Sequence, residues 1–206
     1  MGEIGGAKGA DSPPIVHVKF ESVRLSDEKF YQLRKDNPKA RLELTADGKL
    51  IALQPAGTKT GARGMKLSRK LKSWSEKDGR GMAFDSSTGF TLPNGAKRSP
   101  EASWIPIERW GALSALSDEE QEGYAPLCPD FVVELRVNRR HKLRPLKRKM
   151  AEYIDNGAEL GWLIDPVKKR VHVYRPGHPE ECLEDPAEVS GEPVLRGFTL
   201  RLKDIW

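Results

Sequence analysis

Cysteine is scarce in this chain, and what there is stands far apart. Cys128 and Cys182 are the only two in 206 residues. Such a pair makes neither a disulfide framework nor a zinc site, and it fits a reducing, cytoplasmic setting. The four histidines, His17, His141, His172 and His178, also lack the spacing of zinc ligands. His172, inside "RVHVYR", reads as a structural or surface residue. No stretch approaches the roughly 20 apolar residues that a membrane-spanning helix needs. The opening "MGEIGGAKGADSPP" has no apolar segment of the kind found in secretory signals. Residues 1–18 read as a flexible tail, because glycine, proline and polar side chains cannot pack, and residues 19–206 read as one domain. The glycine-rich "GTKTGARG" lacks the Gly-Lys-Ser/Thr ending of a phosphate loop, so a nucleoside-triphosphate site is not supported. No internal repeat is visible.

Charge, by contrast, is abundant. Charged residues make up 32% of the chain and hydrophobic residues 37%, with a formal net charge of +5 and a pI of about 9.2. The excess is clustered in "KLSRKLKSWSEK" (66–77) and "RVNRRHKLRPLKRK" (136–149). Each run is either a solvated helix face or a phosphate-binding surface, since phosphate contacts need grouped cations. On the second reading Lys66, Arg69, Lys70, Lys72, Arg139, Arg140 and Lys142 are the nucleic-acid contacts.

The local pattern alternates helices and strands. Ser26 caps a helix with Asp27 and Glu28 in its first turn, and Pro38 ends it. "ARLELTADGKLIALQP" alternates around "ADG" as a hairpin, with Leu42 and Leu44 on one face and Arg41 and Glu43 on the other. Leu67, Leu71 and Trp74 recur at helical spacing within 61–77, and Met65 falls off that stripe, so the helix is expected to begin after it. "PNG" reverses the chain between strands. Leu143, Leu146, Met150 and Ile154 form the stripe of a later helix, with Pro145 in its first turn and Gly157 as its stop. "LGWLID" and "KKRVHVYR" read as strands about a turn at Asp165–Pro166. This order predicts an α/β fold, a central mixed β-sheet flanked by helices.

The densest stretch is "CPDFVVELR" (128–136). As a strand it places Phe131, Val133, Leu135 and Val137 on one face, and Asp130, Val132, Glu134 and Arg136 on the other. Buried carboxylates are costly unless paired or bound to a cation. Two readings follow: an internal salt bridge from Glu134 to Arg136 or another basic side chain, or a divalent-metal site. In the second, Glu101 of "RSPEASWI" converges on Glu134 if their strands pair, and Mg²⁺ suits a site of few carboxylates. Asp85 and Glu43 are further candidate acids, each equally explained as a turn residue or a surface charge. Lys149, on the following helix one turn before Tyr153, is the candidate cation, with Lys147 as the alternative.

"RSPEASWI", "CPDFVVELR", "LKRKMAEYIDNGAELGWLIDPVKKRVHVYRPG" and the closing "LRGFTL", preceded by "RLEL" and "FDSSTGF", occur in an order that resembles the bacterial Uma-type family. That family consists of restriction-endonuclease-like proteins of the PD-(D/E)XK nuclease superfamily. The resemblance covers roughly residues 20–206 and rests on order and spacing rather than on any single motif. It implies a restriction endonuclease-like fold, Mg²⁺ or Mn²⁺ as cofactor, and hydrolysis of phosphodiester bonds in DNA. It also admits a catalytically inactive module that holds nucleic acid or a protein partner, and a homodimer if both strands of a duplex are cut. It assigns Glu101 and Glu134 as metal ligands and Lys149 as the catalytic lysine. Asp130, Glu43, Asp85 and Arg136 are left as supporting residues. Glu101 stands where the family usually has Asp, and Arg136 where the superfamily has its lysine. A basic "VNRRHKLRP" replaces a Ser/Pro/Asp-rich turn.

Overall fold

The computed structural model describes residues 24–53, 55–113, 123–137 and 142–206. The expected tail at 1–18, most of the "LSALSDEEQEGYAP" connector, and Arg139, Arg140 and His141 lie outside the described residues.

The first helix, α1 (Asp27–Asp36), starts where Ser26 Oγ accepts from the Lys29 amide, and a hairpin of β1 (Arg41–Leu44) and β2 (Leu50–Leu53) follows. Gly48 in its turn has φ +82°, a conformation that costs glycine least. Next comes α2 (Thr58–Asp78), which is longer than the spacing of its leucines predicts, because it begins before Met65 and contains Gly61 and Gly64. Gly64 is buried against Glu101, so the glycines ahead of the expected start belong to a helix that approaches a neighbour closely.

The chain then forms β3 (Gly81–Asp85), β4 (Phe90–Thr91), β5 (Lys97–Arg98), β6 (Ala102–Pro106) and α3 (Ile107–Leu113). After these come β7 (Phe131–Leu135), α4 (Leu143–Asp155), β8 (Leu160–Asp165) and β9 (Arg170–Tyr174). The described chain closes with β10 (Glu181–Glu184), β11 (Glu188–Ser190), β12 (Thr199–Arg201) and a 3₁₀ turn at Leu202–Asp204.

The central sheet has the order β10-β9-β8-β7-β6-β3. Its β7–β8 pair is parallel and joined through α4, while its other neighbours are antiparallel. A second sheet, β2-β1-β5-β4, stands beside it. This is the mixed sheet with flanking helices that the element order predicts.

The period-two alternation of β7 divides the core. Phe131, Val133 and Leu135 join Leu67 and Leu71 of α2 in one cluster, and Val132 joins Leu146, Met150 and Tyr153 of α4 in the other. Each leucine buried in this way contributes about 1.5–3 kcal/mol. The Trp104 indole donates to Ser75 Oγ (3.1 Å), which donates to the Gly81 carbonyl (2.8 Å). This chain of bonds fixes α2 over the sheet, with its amino-terminal half at the end of β6 where Glu101 sits.

Candidate active site

Glu134 projects from β7 toward α4 and is 7% exposed. The neighbouring β6 runs antiparallel to β7, with Ala102 opposite Val133, and the Glu101 amide donates to the Val133 carbonyl (2.9 Å). Glu101 and Glu134 therefore stand at facing positions on adjacent strands. Each carboxylate lies within the electrostatic reach of the other.

From α4, Lys149 reaches down between two carboxylates. Its Nζ lies 2.7 Å from Glu134 Oε1 and 2.7 Å from Glu43 Oε1. Tyr153, one turn later and fully buried, donates its hydroxyl to the same Glu134 oxygen (3.2 Å). Glu43 enters from β1 in the second sheet and is 2% exposed, so the hairpin face that carries it is not a solvent face. Beyond Lys149 it accepts from the Ser99 amide (3.0 Å) and from Arg98 Nη1 (3.3 Å). Arg98 in turn pairs with Glu152 on α4 (2.6 Å). The second sheet is thereby tied to α4 through charge-assisted bonds.

The titration behaviour follows from these partners. Burial pushes Glu43 up, but Lys149 and Arg98 outweigh it and hold its carboxyl below the ordinary range. Burial also pushes Glu134 up, and there Lys149 does not cancel it, because Glu43 and Glu101 add repulsion. Glu101 is raised as well, by burial first, with Arg41 and then Lys149 opposing and Asp85 adding repulsion. Lys149 loses by burial yet is held above its ordinary value by its two carboxylate partners. Burial and Glu134 drive the Tyr153 phenol well above its own.

The remaining residues singled out in the sequence separate into groups. Arg136 does not pair with Glu134; it binds Asp165 (2.7 Å) at the end of β8. The cation on Glu134 is Lys149, the other basic side chain that the salt-bridge reading allowed. Asp130 pairs with Arg109 of α3 (2.6 Å), apart from the Lys149 pairs. Asp85 is the exposed last residue of β3; it accepts from the Ser87 amide of the turn that follows (2.9 Å) and is close enough to repel Glu101. Lys147 turns instead to Glu180, which also meets His172 and Tyr174. His172, 3% exposed, is thus a structural residue of β9. Lys142 precedes α4 and is exposed.

Along α2, Lys66, Arg69 and Lys70 line a groove of about 600 Å³ together with Trp74, Lys77 and Arg201. Lys70 also pairs with Asp204 (2.9 Å). Lys72 lies on another flank, paired with Glu76 (3.7 Å). The Arg98 bridge, the Tyr153 hydrogen bond and the space at Gly64 are missed by sequence reasoning. Of these only Tyr153 leaves a trace, the Lys-x-x-x-Tyr spacing on one helix.

Among the described residues no group of three or more His, Cys, Asp or Glu side chains is placed to hold a metal ion. Glu101 and Glu134 offer a two-carboxylate set of hard oxygen donors. Charge and donor type suit Mg²⁺, which commonly takes one or two carboxylates and completes its octahedron with water and substrate phosphate.

Comparison with known proteins agrees with this architecture. A search of curated proteins finds no match. Among solved structures, the chain is similar to a protein from Anabaena variabilis described as a putative nuclease belonging to DUF820. The identity is 21%, covering 86% of this chain and 95% of that one, with a TM-score of 0.69. At that identity the likeness is one of fold. The family model named Uma2, described as putative restriction endonuclease, matches residues 27–203, and the chain therefore belongs to the Uma2 family.

Proposed function

We propose that this protein is a metal-dependent endonuclease that hydrolyses phosphodiester bonds of DNA at the centre formed by Glu101, Glu134 and Lys149. The observation that carries the reading is the buried Lys149 ammonium 2.7 Å from Glu134, with Glu101 placed on the adjoining stretch of chain by its amide bond to the Val133 carbonyl. Glu101 and Glu134 would hold Mg²⁺ or Mn²⁺. The chemistry such an ion supplies is Lewis acidity, which polarises a phosphoryl oxygen and acidifies water.

The chain's own groups do the rest. Lys149 stays charged through the neutral range and offsets negative charge that develops on the phosphoryl oxygens. Glu43 and Arg98 hold the lysine and its helix in place. Tyr153 helps fix the Glu134 rotamer through the same oxygen that Lys149 meets. The groove of Lys66, Arg69, Lys70, Lys77 and Arg201 supports binding of the sugar-phosphate backbone, and the exposed Lys142 before α4 would add a contact outside it. A homodimer would bring two such centres to the two strands of a duplex.

The experiment is nicking of supercoiled plasmid in Mg²⁺ and in Mn²⁺ by the wild type and Glu134→Ala. Cleavage by the wild type alone supports the proposal. Equal cleavage by both, or none with either metal, overturns it.

A second reading, a nuclease fold that binds nucleic acid without cutting it, is favoured by one observation. Lys149 already supplies Glu134 with a cation. Calorimetry separates the two, because the nuclease takes up Mn²⁺ through Glu101 and Glu134 and the inert module does not.

A further inference from the structure

Arg41 begins β1, two residues before Glu43, so the two side chains leave the strand on the same face. Glu43 is fully engaged with Lys149, Arg98 and Ser99. Arg41 is not. Its Nε is buried and finds no hydrogen-bond partner, and among the described residues its guanidinium makes no ion pair. A donor removed from water and left unfilled is unfavourable, and native proteins keep few of them. The charge nearest in effect is Glu101, on which Arg41 is the strongest opposing influence. Yet the Glu101 side chain also makes no hydrogen bond or ion pair among the described residues. An unfilled cation and an unfilled carboxylate thus stand beside the Lys149 network without satisfying one another.

One kind of ligand completes both. A phosphoryl group carries non-bridging oxygens that match the fork of a guanidinium, and a divalent cation accompanying it satisfies the carboxylate. We infer that Arg41 binds the phosphoryl group at this centre, its guanidinium donating to the non-bridging oxygens beside Glu101. The inference rests on the nuclease reading for the identity of the substrate, but the anion site itself stands apart from it. It also explains why an arginine with a buried, unpartnered Nε sits on the face that carries Glu43: the fork orients the phosphate against Glu101, while Lys149 remains fixed between its two carboxylates.

The test has two parts. The ¹⁵N–¹H signal of Arg41 Nε is followed by NMR while inorganic phosphate is added in Mg²⁺, with chloride at equal ionic strength as control and Arg41→Lys to assign the signal. A saturable shift with phosphate and none with chloride is expected; an unmoved signal overturns the inference. Plasmid cleavage by Arg41→Lys and Arg41→Ala is then compared with the wild type, with melting temperature as a check on folding. The expected loss in kcat/KM is on the order of tenfold or more in both variants, with partial recovery of Arg41→Ala by added guanidinium ion. Cleavage by Arg41→Lys at the wild-type rate overturns the inference. A phosphate-dependent shift in a protein that cuts no DNA leaves the anion site standing and removes the nuclease reading instead.

Discussion

Gly64 offers the sharpest separation of stability from activity. It lies inside α2, where glycine is less favourable than alanine by about 1 kcal/mol. A methyl group at this position would lie closer than 3.0 Å to Glu101 Oε1 and 3.4 Å from its Cδ. The clash is with the far end of a flexible side chain and not with backbone, so the carboxylate yields and the helix does not. To regain an ordinary contact it must move by roughly 1 Å, a displacement that can cost on the order of 100-fold in rate. Gly64→Ala is therefore expected to keep or raise the melting temperature while cleavage falls about 100-fold. Glu101→Asp retracts the carboxylate by about one carbon–carbon bond, ~1.5 Å. It removes the clash, so combining the two changes costs less than the sum of each alone. The assay is plasmid nicking with thermal denaturation on the four members of this cycle. Unimpaired cleavage by Gly64→Ala, or strictly additive losses, would refute the argument that the gap at Gly64 exists to seat the longer acid.

Other expectations follow from the Lys149 network. Lys149→Met strips Glu134 of its cation and should destabilise the fold by about 3–5 kcal/mol at neutral pH; burial already raises Glu134 and loss of the lysine raises it further, so denaturant melts should show the deficit shrinking as pH falls toward about 4.5 and the stranded acid takes up its proton. Glu134→Gln should abolish cleavage yet raise stability at neutral pH by on the order of 1 kcal/mol. The sign follows from burial, which raises the folded carboxyl above its ordinary 4.5. The wild type is then most favoured below that value and loses stability as pH rises toward the folded value, a slope that Gln lacks. Tyr153→Phe removes a hydrogen bond to a carboxylate and should cost about 1.5–3 kcal/mol in thermal or urea melts. Replacing Arg69 and Lys77 by Gln should lower the slope of log affinity against log salt for duplex DNA by about 0.9 per lost phosphate contact, while Lys169→Gln, at an exposed turn, should leave it unchanged.

Much of the architecture can be read from the chain, because the period-two pattern of 131–137 and the stripe of 143–154 each commit one face to the core. The facing of Glu101 and Glu134 is anticipated on the condition that their strands pair, which β6 and β7 do. Lys149 is reached by family pattern, since a lysine flanking an apolar stripe has no mark distinguishing it from one that reaches solvent. What stays hidden depends on contacts between residues far apart in sequence. Glu43 reads as equally explained by a surface charge because nothing in "RLEL" says that a second sheet will fold it against α4. The start of α2 is misplaced because Met65 falls off the apolar stripe, whereas the helix runs on past it with Met65 exposed and Gly64 against Glu101. Arg136 reads as one candidate partner of Glu134, beside any other basic side chain, from its place two residues on, but strand alternation is only half the geometry. Asp165 at the end of β8, fully buried, claims it instead.

The most direct test is a crystal soaked in Mn²⁺ and measured at the manganese absorption edge. The account predicts an anomalous peak between the Glu101 and Glu134 carboxylates, with Lys149 retained beside them. An empty site, with Lys149 still bridging Glu43 and Glu134 at saturating metal, would contradict it.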